Sequence, residues 1–363
     1  MAAPASDTNG LIAALLRDLA SIQSSKQSEW GYKRAAAAIY SLDESIESML
    51  GPDGSIPKIA AVGPKSAQVI QEVIRTGSSA TVERAIRESG MSKEIEARRF
   101  FRQHFLSRSQ VVAALRDDSL TGPSLGDYRG DLQMHSVWSD GVMSLDEIVS
   151  AGSARGYQYC GLTDHSHGLK IARGVSMADI VKQHADIDRV NAKQAGDFRL
   201  LKGIEANILA EGSLDLTPEE LTRFEFVVAA AHSGLRSADD QTARMLKAVQ
   251  TPGVHILGHP RGRQYGTRPG VSADWDRVFS AAASANVAIE IDGDPARQDV
   301  DYTLVPRAVD AGCLIALDSD AHATDELRYA ENAIAHARLA GVPVERVINC
   351  WPLHQLLAWL QRD

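Results

Sequence analysis

Seven short apolar segments, many of them β-branched, alternate with helical stretches in the second part of the chain. Each segment has the length of one buried strand, and most of the stretches between them have helical spacing. Parallel strands need long crossovers, usually helices, so this repeated order favours a parallel barrel of the (β/α) type in an α/β fold. The predicted strands are 130–134, 159–163, 200–204, 224–230, 254–257, 287–291 and 314–317.

The first part of the chain has a different pattern. Leu11, Leu15, Leu16, Leu19 and Ile22 fall at helical spacing, and further helical runs continue to residue 116. Residues 117–129 are rich in Asp, Ser, Gly and Pro, which is typical of a linker. A chain of 363 residues can hold one small and one large domain. We therefore predict a helical domain (1–116), a linker (117–129) and a barrel domain (130–363).

Charge divides the chain in the same place. Residues 1–116 contain 15 Lys and Arg against 12 Asp and Glu, a net charge of +3, whereas the remainder contains 23 against 35, a net charge of −12. Ten of the 11 histidines also lie in the second part. The helical part is therefore suited to phosphates and the barrel to cations.

Several features predict a cytoplasmic protein with no membrane partner. The N-terminus lacks the basic flank and apolar stretch of a signal peptide, and no apolar run is long enough to span a bilayer. Cys160, Cys313 and Cys350 are widely spaced, odd in number and set among apolar residues. We interpret them as reduced thiols in the protein core.

Imidazoles and carboxylates follow nearly every predicted strand, where barrel enzymes place their active sites. One such residue would usually be an ordinary polar side chain, but eight at one rim would be costly without compensating cations. Mixed imidazole and carboxylate ligands suit Zn²⁺, Mn²⁺ or Fe²⁺, and eight ligands exceed one tetrahedral ion, so we predict two or three divalent ions. The predicted ligands are His135, Asp140, His165, Glu205, His232, His259, Asp320 and His322.

Other residues are assigned by their position. Arg261 and Arg263 follow the fifth strand and Arg297 follows the sixth, where each could clamp a phosphate or be a solvent-exposed loop arginine. His184 and His336 lie on helical stretches, and we expect both to be solvated.

These motifs together resemble the polymerase and histidinol phosphatase (PHP) family, over residues 130–360. The matching segments, in chain order, are 131–135 with 139–141, 163–166, 203–205, 232–233, 258–260 and 319–322. The resemblance is greatest to the PHP domain of bacterial family X DNA polymerases. Residues 11–88 also resemble the N-terminal helix–hairpin–helix module of those polymerases. It implies a trinuclear site in a distorted (β/α)7 barrel, and phosphoester hydrolysis by a metal-activated water.

The resemblance also assigns roles and a reaction class. It implies 3′–5′ exonuclease and 3′-end processing activity, and we expect Glu205 to bridge two ions and Asp320, Arg261 and Arg297 to take part in catalysis. The family usually has His where this chain has Gln133. An amide oxygen is a weaker ligand than imidazole, so Gln133 either binds one ion loosely or hydrogen-bonds a water.

A hairpin in the helical part is a candidate DNA contact. Gly63, Lys65 and Ser66 belong to a Gly-Pro turn that leads into a helix. The free N–H groups at the start of that helix could hold a DNA phosphate without reading sequence. The alternative is an ordinary turn between packed helices. The family pattern has Gly near Ala60 or Ala61. Val69 stands where related polymerases carry a lyase lysine, so no such lyase activity is expected.

Three functions remain open on the sequence. The first is a DNA 3′-end exonuclease or phosphatase in repair. The second is a small-molecule phosphatase of the histidinol-phosphate type, which would need no helical domain. The third is a catalytically weak DNA-binding protein, given Gln133. A polymerase is not expected, because the 13 residues between the two domains leave no room for a polymerase palm.

Overall fold

The computed structural model describes residues 7–194, 196 and 198–361, which form two compact units. One unit contains the residues up to Asp118 together with 265–267. The other contains residues 119–264 and those from Arg268 onward. The first six residues, on which the expected absence of a signal peptide partly depends, lie outside the described residues.

The first unit is helical throughout its regular structure. Ser25 and Ser79 begin helices because their hydroxyls accept a hydrogen bond from a first-turn N–H. Gly77 and Gly90 end helices in the left-handed conformation, with φ of 70° and 73°. The helices are α1 (Thr8–Ser21), α2 (Lys26–Tyr40), α3 (Pro64–Thr76), α4 (Ala80–Ser89), α5 (Ser92–Phe100) and α6 (Arg108–Arg116).

The apolar faces of these helices share one core. Leu16 of α1, Ile39 of α2, Ile70 of α3 and Val82 of α4 are all fully buried in the same cluster. Val69 also lies there, so its side chain fills the core where a lyase lysine would need to be accessible.

The second unit is built on seven parallel strands arranged in chain order. Beyond the ends of the first and last strands, Met134 pairs in parallel with Ala321, which brings the two edges together. The predicted α/β barrel is therefore confirmed. The strands are β1 (Gly130–Asp131), β2 (Tyr159–Leu162), β3 (Arg199–Asn207), β4 (Phe226–Ala230), β5 (Ile256–Gly258), β6 (Ala288–Asp292) and β7 (Ile315–Asp318).

Helices separate the strands and cover the barrel. They are α7 (Leu145–Ala154), α8 (Met177–Ala192), α9 (Pro218–Leu221), α10 (Thr242–Val249), α11 (Trp275–Ser284), α12 (Val305–Asp310), α13 (Ala330–Ala340) and α14 (Leu353–Leu360).

Apolar side chains fill the amino-terminal end of the barrel. Tyr159, Phe226 and Ile256, each the first residue of its strand, cluster with Leu356 of α14. The Phe226 ring lies so close to Gly203 that a Cβ there would approach within 2.4 Å. Polar chemistry is consequently confined to the opposite, carboxyl end of the strands.

The predicted linker is partly absorbed by the barrel unit. Residues 119–129 belong to that unit. The Arg338 guanidinium of α13 donates to the carbonyl oxygens of Leu120 and Pro123, each at 3.4 Å. Arg338 therefore ties this segment to α13.

The three cysteines are buried and form no disulfide, which agrees with core thiols. Burial raises the pKa of the Cys160 thiol well above its usual value. Within the described ranges, no helix combines the length and apolar character needed to cross a bilayer.

Candidate metal centre

All eight predicted ligands meet at the carboxyl end of the barrel. Glu205 lies within β3, His259 directly follows β5, and the others lie in loops after β1, β2, β4 and β7. Their ligand atoms form three groups, and within each group the atoms lie within 4.8 Å of one another. The groups are His135–Asp140–His165–His322, His165–Glu205–His232 and His135–Glu205–Asp320. The eighth predicted ligand, His259, contacts Glu205.

Glu205 is the centre of this arrangement. Its side chain is fully buried, and each carboxylate oxygen faces two imidazoles. Oε2 lies 3.3 Å from both His135 Nε2 and His165 Nδ1. Oε1 lies 3.1 Å from His232 Nε2 and 3.0 Å from His259 Nε2. One carboxylate thus separates two pairs of imidazoles, the geometry required of a bridging ligand.

Asp140 organises the more exposed side of the cluster. Its Oδ1 lies 3.5 Å from the Nε2 atoms of both His165 and His322, and 4.0 Å from His135 Nδ1. Asp140 and His322 are about one-third exposed, whereas His135 is fully buried. The cluster is therefore most exposed to solvent on this side.

Two carboxylates of the cluster, Glu205 and Asp140, are held ionised. Burial raises the pKa of Glu205, but the imidazoles of His165, His135 and His232 outweigh burial and hold it well below its usual range. Burial also raises the pKa of Asp140, but hydrogen bonds with His165 and His322 outweigh burial and lower it strongly. Burial lowers the pKa of His259, which favours the neutral imidazole that binds metals.

Unpartnered atoms show that the residues fit cations. Among the described residues, buried polar atoms without a hydrogen bond are expected to be few. Here they concentrate in the cluster: His135 Nδ1, His165 Nδ1, His232 Nε2, His259 Nδ1 and Glu205 Oε2. Divalent cations bind such nitrogen and carboxylate atoms, so the donor set matches Zn²⁺, Mn²⁺ or Fe²⁺.

Groups behind the ligands orient the imidazoles, and the sequence did not reveal them. His232 Nδ1 contacts Asn207 Oδ1 at 3.1 Å, and His322 Nδ1 contacts the carbonyl oxygen of Asp320 at 2.8 Å. Such contacts select the tautomer that leaves the other nitrogen for the metal. Asn207 ends β3 two residues after Glu205, and that spacing was its only signal.

Asp164 supports the loop after β1. Its carboxylate accepts hydrogen bonds from the Ser136 N–H at 2.8 Å, the Ser139 hydroxyl at 2.5 Å and the Gln183 amide at 2.8 Å. These bonds fix the loop that carries His135 and Asp140. Asp164 directly precedes His165 in sequence, but the sequence alone cannot distinguish an aspartate that forms a turn from one that anchors a neighbouring loop.

Gln133 is fully buried, and neither atom of its amide makes a hydrogen bond among the described residues. Its Oε1 lies beside Gly258, where a Cβ would stand 3.3 Å away. Both alternatives for this amide, a weak ligand or a partner for water, remain predictions.

Among the described residues, four further carboxyls lie buried in the strands: Asp131, Glu290, Asp292 and Asp318. Burial raises the pKa of each, and acidic neighbours raise the pKa of Asp131 and Glu290 further. At Asp318, hydrogen bonds from the Leu132 N–H and the Asn349 amide oppose the effect of burial. Glu290 Oε2 accepts from the His259 N–H. The pKa of Glu290 is therefore shifted in the direction opposite to that of Glu205.

Two ligand residues adopt an unfavourable backbone. His259 has φ of 24° and Asp320 has φ of 53°. L residues rarely adopt positive φ, and such strain concentrates at functional sites. Surrounding contacts must hold both ligands in place.

The three predicted phosphate-binding arginines have different partners. Arg297 is one-quarter exposed and pairs with Asp320 and, at 3.3 Å, with Asp292. Arg261 is occupied by two buried carboxylates, with Nε 2.8 Å from Asp299 and Nη2 2.6 Å from Asp301. Two of the three guanidinium nitrogens of Arg261 are therefore occupied by buried carboxylates, and its role in catalysis stays a prediction.

Arg263 is also committed within the protein. It is 5% exposed, its Nη1 lies 3.1 Å from Asp301, and it donates to the backbone after β6. His336 is fully buried, contrary to the expectation of solvation, because its two ring nitrogens contact the Tyr302 N–H and the Gln298 side chain.

The predicted DNA-contacting residues lie at the start of α3. Gly63 and Lys65 are exposed, whereas Ser66 is only 5% exposed. Gly63 caps α3 without a side-chain hydrogen bond, which leaves first-turn N–H groups open. Ala61, where the family pattern has glycine nearby, has φ of 62°, so the turn has the conformation that glycine favours.

Comparison with known proteins found no matching family model. The DNA polymerase/3′-5′ exonuclease PolX of Bacillus subtilis (strain 168) is 33% identical over 285 residues, which cover 76% of this chain and 50% of that protein. This chain thus spans about half the length of that relative. The probable phosphatase YcdX of Escherichia coli O139:H28 is 27% identical, covering 64% of this chain and 94% of that protein.

A further relative and a solved structure are similar over the same extent. A probable phosphatase of Enterobacter sp. (strain 638) is 29% identical over 63% of this chain and 93% of its own length. Histidinol phosphate phosphatase from Lactococcus lactis, complexed with zinc, L-histidinol and phosphate, has a TM-score of 0.44 and 18% identity, covering 58% of this chain and 94% of that one.

Proposed function

Because this chain is homologous to phosphoesterases of the PHP family, we propose that it is a metal-dependent phosphoesterase that acts on DNA 3′ ends, as an exonuclease or a 3′-phosphatase. The proposal excludes polymerase activity, since residues 117–129 are all that lies between the helical part and the barrel.

The position of Glu205 carries the proposal. Four imidazoles lie within 3.3 Å of one buried carboxylate, and a second carboxylate, Asp140, lies near three imidazoles. This is a donor set for more than one divalent ion. Bound divalent ions supply Lewis-acid chemistry, which activates water and offsets the charge of a reacting phosphoester.

The protein groups divide the remaining work. Glu205 and Asp320 form one ligand group with His135. Glu205 and His135 each also belong to another group, so these residues hold the ligand groups at a fixed separation. Arg297, which pairs with Asp320 and is partly exposed, would bind a phosphate oxygen at the edge of the cluster. A guanidinium suits this task because its planar donors match two oxygens of a phosphate.

The extent of similarity supports a DNA substrate. The match to the B. subtilis protein covers 76% of this chain, more than residues 130–363 can supply, so part of it precedes Gly130. The matches to the probable phosphatases cover 63–64%, about the size of the barrel. The helical unit would hold the DNA backbone through Lys65 and the N–H groups at the start of α3.

Most arginines near the end of the helical unit are not available for DNA. Arg99 pairs with Asp18 at 2.7 Å and with Glu83 at 2.6 Å, and Arg102 pairs with the same buried Asp18 at 2.5 Å. Arg99 and Arg102 therefore contribute nothing to the DNA proposal.

A small-molecule phosphatase is the second candidate. The probable phosphatases match this chain over 93–94% of their own length, and they do so without requiring its helical part. A small phosphoester could enter beside Asp140 and His322, the more exposed ligands.

Parallel assays distinguish the candidates. Oligonucleotides with 3′-hydroxyl and 3′-phosphate ends, histidinol phosphate and a chelated control would be compared for kcat/KM. We expect hydrolysis only with metal, and preference for the oligonucleotides. Higher kcat/KM for histidinol phosphate would favour the second candidate, and no metal-dependent hydrolysis of any substrate would refute the phosphoesterase proposal.

A charge reversal tests the role of the helical unit. Lys65→Glu should lower kcat/KM for oligonucleotide and reduce the dependence of log affinity on log salt by about one unit, because one phosphate contact is lost. Activity on a small phosphoester should not change. Lys93→Glu, the same change at an exposed lysine of α5, is the control. Equal effects of the two variants would show that α3 has no special role.

A further inference from the structure

Two arginines that the sequence assigns to phosphate binding instead connect two loops at the carboxyl end of the barrel. The first loop, 259–263, follows β5 and contains the ligand His259. The second loop, 293–301, follows β6 and contains Arg297. The contacts between these loops are more specific than packing alone.

Arg263 holds the backbone of the second loop. Its Nε donates to the carbonyl oxygens of Arg297 at 3.0 Å and Gln298 at 3.2 Å, and its Nη2 donates to that of Gln298 at 2.7 Å. Its Nη1 lies 3.1 Å from Asp301. All three nitrogens of this 6%-exposed side chain are therefore used inside the protein.

Arg261 holds the side chains of the same loop. Its guanidinium pairs with Asp299 and Asp301, and the backbone N–H groups of Arg261 and Gly262 both donate to Asp299 Oδ2 at 2.8 Å. Asp299 and Asp301 are fully buried, so two arginines neutralise two carboxylates. The loop is locked by charge as well as by hydrogen bonds.

We propose that Arg263 is a positioning residue, which sets where Arg297 presents its guanidinium to the phosphate, and that Arg261 assists by fixing the same loop. The proposal rests on the proposed function, in which Arg297 binds phosphate. Arg263 donates a hydrogen bond to the backbone carbonyl of Arg297, and the Arg297 side chain forms an ion pair with Asp320 in the metal cluster. Binding and catalysis are sensitive to displacements of about 1 Å, so the backbone position from which the Arg297 side chain extends affects phosphate binding.

The test is a double-mutant cycle on the metal-loaded protein, with the Kd for inorganic phosphate as the readout. Arg263→Lys keeps the positive charge near Asp301 but lacks the fork that holds two carbonyls and a carboxylate together. We expect it to weaken phosphate binding about tenfold and to raise KM for a phosphoester more than it lowers kcat. Bound metal should be unchanged. Arg297→Ala should weaken phosphate binding by at least as much.

The coupling between the two positions decides the question. If Arg263 acts through Arg297, the double variant binds phosphate no more weakly than Arg297→Ala alone. Additive losses would overturn the proposal, and so would loss of metal from Arg263→Lys, which would show that the effect passes through His259. Arg268→Lys is the matched control, because Arg268 donates to Gly262 in the first loop, and it should leave the Kd unchanged.

A second variant is available if Arg263→Lys does not fold. Arg261→Lys then replaces it in the cycle, since Arg261 holds Asp299 and Asp301 of the same loop. If Arg297→Ala leaves phosphate affinity unchanged, the positioning role is wrong, while metal-dependent hydrolysis would still support a phosphoesterase. Because phosphate binding is measured without turnover, the cycle remains decisive even if no phosphoester is hydrolysed.

Discussion

Replacing Glu205 by glutamine removes one negative charge from the middle of the metal cluster and keeps the shape of the side chain. Glu205 belongs to two of the three ligand groups, and its oxygens lie 3.0–3.3 Å from four imidazoles. An amide has one oxygen that can bind a cation and an NH₂ group that repels it. The variant therefore cannot bridge.

The size of the effect follows from that geometry. Two ligand groups lose their shared carboxylate, so we expect at least one equivalent of bound metal to be lost. We expect kcat to fall by about 1000-fold, which corresponds to ~4 kcal/mol of transition-state stabilisation at about 1.36 kcal/mol for each factor of ten. The fold should persist, because the apolar end of the barrel does not involve Glu205.

Glu290→Gln is the matched control. Glu290 is equally buried in the neighbouring part of the same barrel, but burial raises its pKa well above the usual value. A protonated carboxyl and an amide are both neutral and similar in shape, so this variant should retain its metal and most of its activity. Glu205, whose pKa is lowered, should not tolerate the same change.

Elemental analysis and steady-state hydrolysis of the two variants would be measured beside the unchanged protein. Near-normal metal content and kcat in Glu205→Gln would refute the bridging role. Equal losses in both variants would show that any neutral substitution in the barrel is disruptive, which would remove the argument from ionisation.

Three further predictions follow from the structure. Chelation of the metal should lower the Tm of the barrel unit, because a metal that binds only the folded barrel stabilises it and chelation removes that contribution; an unchanged Tm in calorimetry would contradict the proposed centre. Ala61→Gly should stabilise the helical unit by about 1 kcal/mol in urea unfolding, since Ala61 has positive φ and glycine removes the Cβ strain; destabilisation would be the opposing result. Hydrogen bonds from Ser79 and Thr81 lower the pKa of Glu72 to about 2, below its unfolded value, so its contribution is present above about pH 4.5 and is lost as pH falls towards 2. Glu72→Gln should flatten the pH dependence of helical stability over that range, and an unchanged slope in urea unfolding monitored by circular dichroism would contradict the assignment.

Local features of the sequence determined the strands and the ligand types. Apolar segments such as 159–163 and 224–230 are recognisable because strand formation and burial depend on neighbouring residues. His259 and His322 could be predicted as ligands because each stands just beyond a strand end, and parallel strands deliver their ends to one rim. The position of an active site within the barrel was therefore predictable before any distance was known.

Tertiary structure alone decided how the charged groups are used. Arg261 and Arg297 follow strands in the same way, yet one is neutralised by Asp299 and Asp301 while the other reaches Asp320. His336 lies on a helix whose pattern indicated solvation, but α13 packs it fully against the loop after β6.

The same holds for protonation and for accessibility. Glu205 and Glu290 are both glutamates in strands, but imidazoles surround the first and carboxyls the second, so their pKa values move in opposite directions. Ser66 sits in the predicted DNA hairpin but turns its side chain inward. Residues far apart in sequence set these environments, and their distances exist only once the barrel closes and the helices pack, because Coulomb energies and desolvation depend on separation in space and not along the chain.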